Sequence, residues 1–140
     1  MRDWSSDVCS SDLHSSATPR GLTALGALHD AGVLVAAGAD NVQDIYNQVG
    51  RSDPLETAAL LVMAGHQLAD DAYRMVSNDV REGIGLPRVD HAPGAPADLL
   101  VINAASPREA IADAPMSRRV YHRGELVASA DQWTRIHRPD

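Results

Sequence analysis

The sequence predicts an α/β fold, and three observations carry that expectation. A helical pattern over residues 22–31 runs straight into a short apolar run, residues 33–38. Two more helical segments follow, and strand-like segments around a tight turn close the chain. A helix feeding at once into a buried strand is half of a parallel α/β repeat.

The elements can be justified in order. Thr18-Pro19-Arg20-Gly21 is a turn; Leu22, Leu25 and Leu28 with Ala24, Ala27 and Ala31 then recur at helical spacing until Gly32. Residues 33–38, bounded by Gly32 and Gly38, are apolar throughout, which predicts a strand buried on both faces. Residues 39–52 form a polar loop. Asp53-Pro54-Leu55-Glu56 offers Asp at N-cap, Pro at N1 and Glu at N3, so a helix should run from there to about His66. It is apolar nearly all round, which predicts burial between layers. Asp70 is expected to cap one further helix over 71–82, ended by Gly83 and Gly85. Pro, Gly and Ala dominate 87–96 and break the helical pattern. Residues 97–102 then read as a strand and 106–114 as a short helix or turn. Residues 120–122 and 125–128 read as strands joined through Arg123-Gly124, a tight hairpin or bend. Those late strands are too few to close a sheet alone.

Composition excludes several functions. The chain has 140 residues, one ordinary domain or part of a larger one. An apolar fraction of 44% is enough for a core, and with no Phe that core must come from Leu, Val, Ile, Ala and Met. All 12 basic residues are Arg. The absence of Lys removes a P-loop lysine, a Schiff-base lysine and a lysine general base. A net charge of -7 with no basic stripe argues against nucleic acid and anionic membrane as partners. No apolar window is long enough to cross a bilayer. Residues 1–13 lack the regions of a secretory signal, and the single Cys9 permits no internal disulfide. A cytoplasmic location is expected.

Residues 1–13 are Ser/Asp-rich and aperiodic, with the near-repeat SSDV and SSDL. The string RDWSSDVCSSDL resembles translated sequencing-adapter sequence, so these residues are expected to be a disordered artefact outside the fold. Removing their one Arg and three Asp takes the net charge from -7 to -5 and leaves no cysteine. The genuine chain is then expected to continue upstream of His14.

Asp40 is the leading candidate for chemistry. A carboxylate just past the C-terminal end of a buried parallel strand is where α/β folds place catalytic groups, although Asp also begins many ordinary turns. Asp44, in the same loop, reads more simply as a backbone-binding turn residue. His14, His29, His66, His91, His122 and His137 show no H-x-H or H-E-x-x-H spacing, so there is no local metal motif. His29 and His66 read as helix-end residues, His122 and His137 as exposed positions in a sheet edge and a tail. Arg118, Arg119 and Arg123 read as a solvated surface. Ser52 and Ser77 lack a G-x-S-x-G setting, and Gly83-Ile84-Gly85 lacks that of a dinucleotide loop.

Three ordered segments then carry a resemblance. They are Arg20-Gly21-Leu22-Thr23 with 31–44, the helices from Asp53-Pro54-Leu55-Glu56-Thr57 through Asn78, and Gly94-Ala95-Pro96-Ala97-Asp98-Leu99-Leu100-Val101-Ile102 with 120–127. Together they resemble the C-terminal part of cytosine-deaminase-like members of the amidohydrolase superfamily, over about residues 20–128. The resemblance implies a C-terminal fragment of a (β/α)8 TIM barrel plus strands of the small amidohydrolase β-sandwich. Residues 14–86 would hold the last barrel strand and its flanking helices, 87–130 the sandwich strands and 131–140 a tail.

The resemblance also implies chemistry: a metal-dependent hydrolase acting on a non-peptide C–N bond, with deamination of a cytosine-like cyclic amidine as the first expectation. Asp40 would ligate a divalent metal, Zn or Fe, and carry a proton, since metal-assisted hydrolysis needs both an activated water and a carboxylate to move its proton. Asn41 stands where relatives often carry a second acid, so substrate contact is implied there. The partner would be a small molecule, a nucleobase or cyclic amide, with a homo-oligomer possible. The family's H-x-H pair and middle-strand histidines are absent. The fragment alone is therefore expected to bind no metal, to be inactive and to be aggregation-prone. The alternative is a small non-catalytic α/β binding or receiver-like module, complete as it stands.

Overall fold

A computed structural model describes residues 21–90 and 92–137; the adapter-like residues 1–13 and the last three residues of the 131–140 tail lie outside the described residues. Among the described residues five helices and three strands follow one another: α1 (Leu25–Asp30), α2 (Pro54–Met63), α3 (Ala69–Met75), α4 (Asn78–Gly83), β1 (Leu99–Ile102), α5 (Pro107–Asp113), β2 (Arg118–His122) and β3 (Glu125–Ala130).

The predicted cap at Asp53 is in place, and Ser106 supplies another. Asp53, in extended geometry, accepts a hydrogen bond from the Leu55 N–H and Pro54 opens α2, which satisfies one of the orphan donors of the first turn. Ser106 does the same for α5 through Glu109 N–H, while the Glu109 carboxylate accepts from Ala105 N–H. Helices α1 and α4 end alike. Gly32 N–H donates to His29 and Val33 N–H to Leu28; Gly85 N–H donates to Glu82 and Leu86 N–H to Arg81. Both glycines have positive φ, +71° and +76°, so each helix stops in a Schellman turn that only glycine enters without strain.

Three expectations need correction. The run 33–38 is extended but is not a strand, and Val33 and Leu34 are 47% and 46% exposed. Among the described residues no strand lies beside it; its Ala37 N–H instead donates to the Met75 carbonyl at 2.9 Å. A ladder needs a neighbour, and propensity cannot supply one. Helix α2 stops at Met63, and Leu60 and Met63 face solvent at 55% and 70%. It buries one face, not both. The single helix expected over 71–82 is two, starting at Ala69 behind Leu68 with no side-chain cap at Asp70. Ser77 divides them: its hydroxyl donates to the Tyr73 carbonyl at 2.6 Å, a local bond that competes with helix continuation.

The core lies where α2, α3 and α5 meet. Leu55, Ala58, Ala72 and Ile111 form the buried cluster, with Val62, Tyr73 and Ile102 packed around it. Small residues let the helices approach, and Gly65 shows how close. A Cβ there would sit 2.7 Å from the Leu61 carbonyl oxygen and 2.9 Å from Leu25 Cδ1. Strands β1, β2 and β3 form an antiparallel sheet in that order. Its hairpin turns through Arg123 (φ +52°) and Gly124 (φ +85°), the left-handed pair of a type I′ turn. The hairpin is thus where the sequence placed it.

Leu55 is only 2% exposed at the centre of this small core. Leu55→Ala should therefore lower unfolding free energy by about 2–5 kcal/mol, read as a shift in urea midpoint. A loss below ~1 kcal/mol would show that the cluster is not the structural core.

Candidate functional site

Asp40 ends the extended run, exposed and with φ +58°. That left-handed conformation is uncommon for a residue with a Cβ, and Asp is among the few that tolerate it. The backbone turns sharply there and enters a loop closed on itself. Asn47 Nδ2 donates to the Asn41 carbonyl at 2.8 Å. Asp44 Oδ1 accepts from the Tyr46 and Asn47 N–H groups, both at 2.8 Å, so Asp44 is a turn residue, as expected from sequence. Gly50 is buried against this closure: a Cβ there would lie 2.8 Å from the Asn41 carbonyl oxygen and 2.6 Å from Asn47 Nδ2. Asn41 is thus half-buried and tied through its backbone, next to an exposed carboxylate.

The loop ends on Asp53, and here the structure overturns one reading. Arg118 is not solvated surface; its side chain is 18% exposed and grips Asp53 in two parallel bonds of 2.9 Å each. The same guanidinium also donates to the Ala114 and Pro115 carbonyls. Burial pushes the Asp53 carboxyl up, but the Arg118 hydrogen bonds and charge and the Leu55 N–H outweigh it and hold it below its ordinary value. Sequence reasoning missed this pair because its members are 65 residues apart, and neither sits in a local charge pattern. Arg119, more exposed, pairs with Asp131 at 2.8 Å.

A second carboxylate gathers the C-terminal half. Asp98 accepts from Arg123 N–H at 2.9 Å and Arg81 Nη1 at 3.0 Å, and His122 Nδ1 lies 2.9 Å from its Oδ1. The Arg123 N–H first, then the Arg81 and His122 contacts, hold its carboxyl below the ordinary range despite desolvation. The Ala97 carbonyl beside it accepts from Gly124 N–H. The A-D pair before β1 is therefore the lock on the hairpin. His122 lies at the end of the central strand β2, not on a sheet edge. Between these two ion pairs, α2, α3 and α4 on one side and β1 and β2 on the other enclose a cleft of about 730 Å³.

The remaining predicted positions are dispersed. His29 sits in the last turn of α1 and His66 just beyond α2 with φ +54°; His137 is exposed. His14 and His91 lie outside the described residues. Among the described residues, no three His, Cys, Asp or Glu side chains are gathered as a metal would require. The described donors by themselves would make up no more than part of a divalent-metal site. Among the same residues, no helix is long and apolar enough to cross a membrane.

Comparison with known proteins gives this geometry a context. No family model matches the chain. It is 33% identical over 122 residues to a pterin deaminase of Rhizobium rhizogenes strain K84, covering 83% of this chain and 28% of that protein. In structure it superposes on N-isopropylammelide isopropylaminohydrolase from Burkholderia multivorans with a TM-score of 0.69 at 31% identity, covering 82% of this chain and 30% of that one. These two matches support the resemblance to deaminases of the amidohydrolase superfamily. A 5-methylcytosine deaminase from Klebsiella pneumoniae, solved with phosphonocytosine, has the same fold over 89% of this chain and 32% of its own, with a TM-score of 0.70 at 22% identity. The chain spans about a third or less of the length of each relative.

The depressed Asp53 carboxyl fixes a sign. A group whose folded pKa lies below its unfolded value adds stability that is present above the unfolded value, near 3.8, and is lost as pH falls through the folded one. Stability should therefore fall from about pH 5 downward. Asp53→Asn keeps a capping acceptor but should flatten that acid limb and lower stability at neutral pH by about 3 kcal/mol, the low end for breaking a buried pair. An unchanged slope between about pH 5 and pH 2 would show that Asp53 does not carry the linkage.

Proposed function

We propose that this chain is the C-terminal part of a hydrolytic deaminase of the amidohydrolase superfamily, with the extended run and loop after it serving as the last strand and catalytic turn of a (β/α)8 barrel. The single observation that carries the reading is the ordered match at 31–33% identity to two proteins named for removing amine groups from nitrogen heterocycles. Residues 14–86 would belong to the barrel and 87–130 to the small β-sandwich. In this reading Asp40 contributes one carboxylate to a divalent metal centre, of Zn or Fe, whose other ligands come from polypeptide beyond the described residues. A metal bound there would supply Lewis acidity toward water, and Asp40, besides holding it, would be the carboxylate that carries a proton to the leaving nitrogen. Its exposure and its position past the end of the extended run support that role. Asn41, adjacent and half-buried, would face the substrate.

The substrate class follows from the relatives' names: a planar ring carrying an exocyclic amine, pterin-like or cytosine-like. The pterin-deaminase match moves the first choice from a cytosine-like ring alone to include a fused one. A receiver-like module draws no support from the structure, because the described strands form an antiparallel sheet and a receiver requires a parallel one. The 140-residue chain itself is expected to turn over neither pterin nor cytosine.

Two measurements test the reading. Genomic sequence upstream of His14 should encode an H-x-H pair on an early strand; a genuine start codon within a few residues of His14 would sink the proposal. In the enzyme so completed, Asp40→Asn should lower kcat for ring deamination by about 10²-fold or more, the contribution of a proton-transferring group, with little change in KM. A variant retaining near-full kcat would remove Asp40 from the mechanism.

A further inference from the structure

The loop that carries Asp40 and Asn41 is fixed at both ends by parts of the chain remote from it. At its entrance, Ala37 N–H donates to Met75 on α3. At its exit, Asp53 is gripped by Arg118 from β2 at 2.9 Å through both oxygens. Between them, Asn41, Asp44, Asn47 and buried Gly50 close the loop with their own hydrogen bonds and contacts. Only Arg51 and Ser52 separate Gly50 from the gripped carboxylate, and Ser52 is itself held at φ +54°. Three residue steps from Gly50 to Asp53 span at most ~11 Å, so a displaced Asp53 pulls on Gly50 through an already left-handed link.

Arg118 is also engaged on its other side. Its contacts with the Ala114 and Pro115 carbonyls tie it to the end of α5, which packs into the core through Ile111. The guanidinium thus joins the loop exit, the N-terminus of α2, the end of α5 and the start of β2. A planar fork can hold that geometry where a lysine ammonium cannot.

We infer that Arg118 is a positioning residue for the Asp40–Asn41 turn: through Asp53 it sets the exit of the loop and so the closure around Asn41. The inference concerns which residue of the C-terminal sheet steadies the turn, and it rests on the reading of Asp40 as a site residue for its functional meaning. The geometry it asserts can be measured without any activity, so a failed deaminase assignment and a failed anchor give different results.

The test is amide hydrogen exchange and side-chain amide NMR on the full chain. In the unmodified chain, the Tyr46 and Asn47 N–H groups that bond to Asp44 should be protected. Arg118→Met should speed their exchange at least about tenfold more than it speeds the α3 amides of Ala72 and Val76, as expected for a selective local opening, and should shift the Asn47 Nδ2 resonances. Arg118→Lys, which keeps the charge and loses the fork, should fall between the two. Arg74→Met serves as the control, because it removes a bond to buried Asp79 away from the loop and should speed exchange without singling out Tyr46 and Asn47. Asp53→Asn should reproduce Arg118→Met in the loop, and the double variant should add little further. Equal acceleration of loop and α3 in Arg118→Met would reduce Arg118 to a general structural contact and overturn the inference. So would unprotected Tyr46 and Asn47 amides in the unmodified chain, additive single effects, or loop signals that do not move.

Discussion

Asp53 has two tasks, and the architecture follows from their coincidence. As the N-cap of α2 it turns a polar loop into a helix, and as the partner of Arg118 it brings the C-terminal sheet against that helix. Each task alone is modest. A cap contributes about 1 kcal/mol, and an ion pair on an open surface about 0–1 kcal/mol. With both side chains near 17–18% exposed the pair has lost much of its hydration, and it is tolerable only because its hydrogen-bonding capacity is met. Asp53 accepts from Arg118 and Leu55, while Arg118 donates to Asp53, Ala114 and Pro115. The cost of breaking it therefore exceeds its net contribution while intact. That asymmetry makes it an effective fastener: the arrangement has no cheap half-open state.

Fastening matters because the apolar core is small. Among the described residues the fully buried large side chains are Leu55 and Met75, and the helices meet over alanines. Close approach through small residues gives good packing but buries little apolar area per contact. The ion pairs therefore carry an unusual share of the task of holding the helices and the sheet in one arrangement. Asp98 repeats the logic, collecting Arg81 from α4, the Arg123 N–H and His122 on a single carboxylate. A chain whose cations are all Arg suits this design, since the guanidinium fork can bond several acceptors at once.

What the sequence revealed and what it hid divide along the range of the interactions. The cap at Asp53, the glycine stops at Gly32 and Gly85, and the Arg123-Gly124 turn were legible because each is decided within a few residues. The A-D-L pattern before β1 was legible as a resemblance but not as a device; the structure shows Asp98 locking the hairpin. Arg118 was misread because its partner is 65 positions away, and no composition or periodicity reports such a pair. Ser77 is the intermediate case. The apolar spacing around it fits one helix, yet its hydroxyl takes the Tyr73 carbonyl locally and the helix divides.

The extended run before Asp40 shows why a correct local reading can still fail. Its backbone is extended and its half-buried residues alternate, Val35, Ala37 and Ala39, which is the period of a strand. No ladder forms because a strand is defined by its neighbours: the N–H and C=O groups of 33–38 can pair only with chain lying alongside. The same reasoning applies to the carboxylate at its end. An Asp in a left-handed turn beyond an apolar run has the location of a catalytic group, and its chemistry depends on charges brought to it by other strands. Val33 and Leu34 on that run and Leu60 and Met63 on α2 keep their apolar side chains exposed, so under the proposed barrel reading packing and catalysis would call for the same thing. Under that reading, polypeptide that covered those side chains would also bring partners to Asp40.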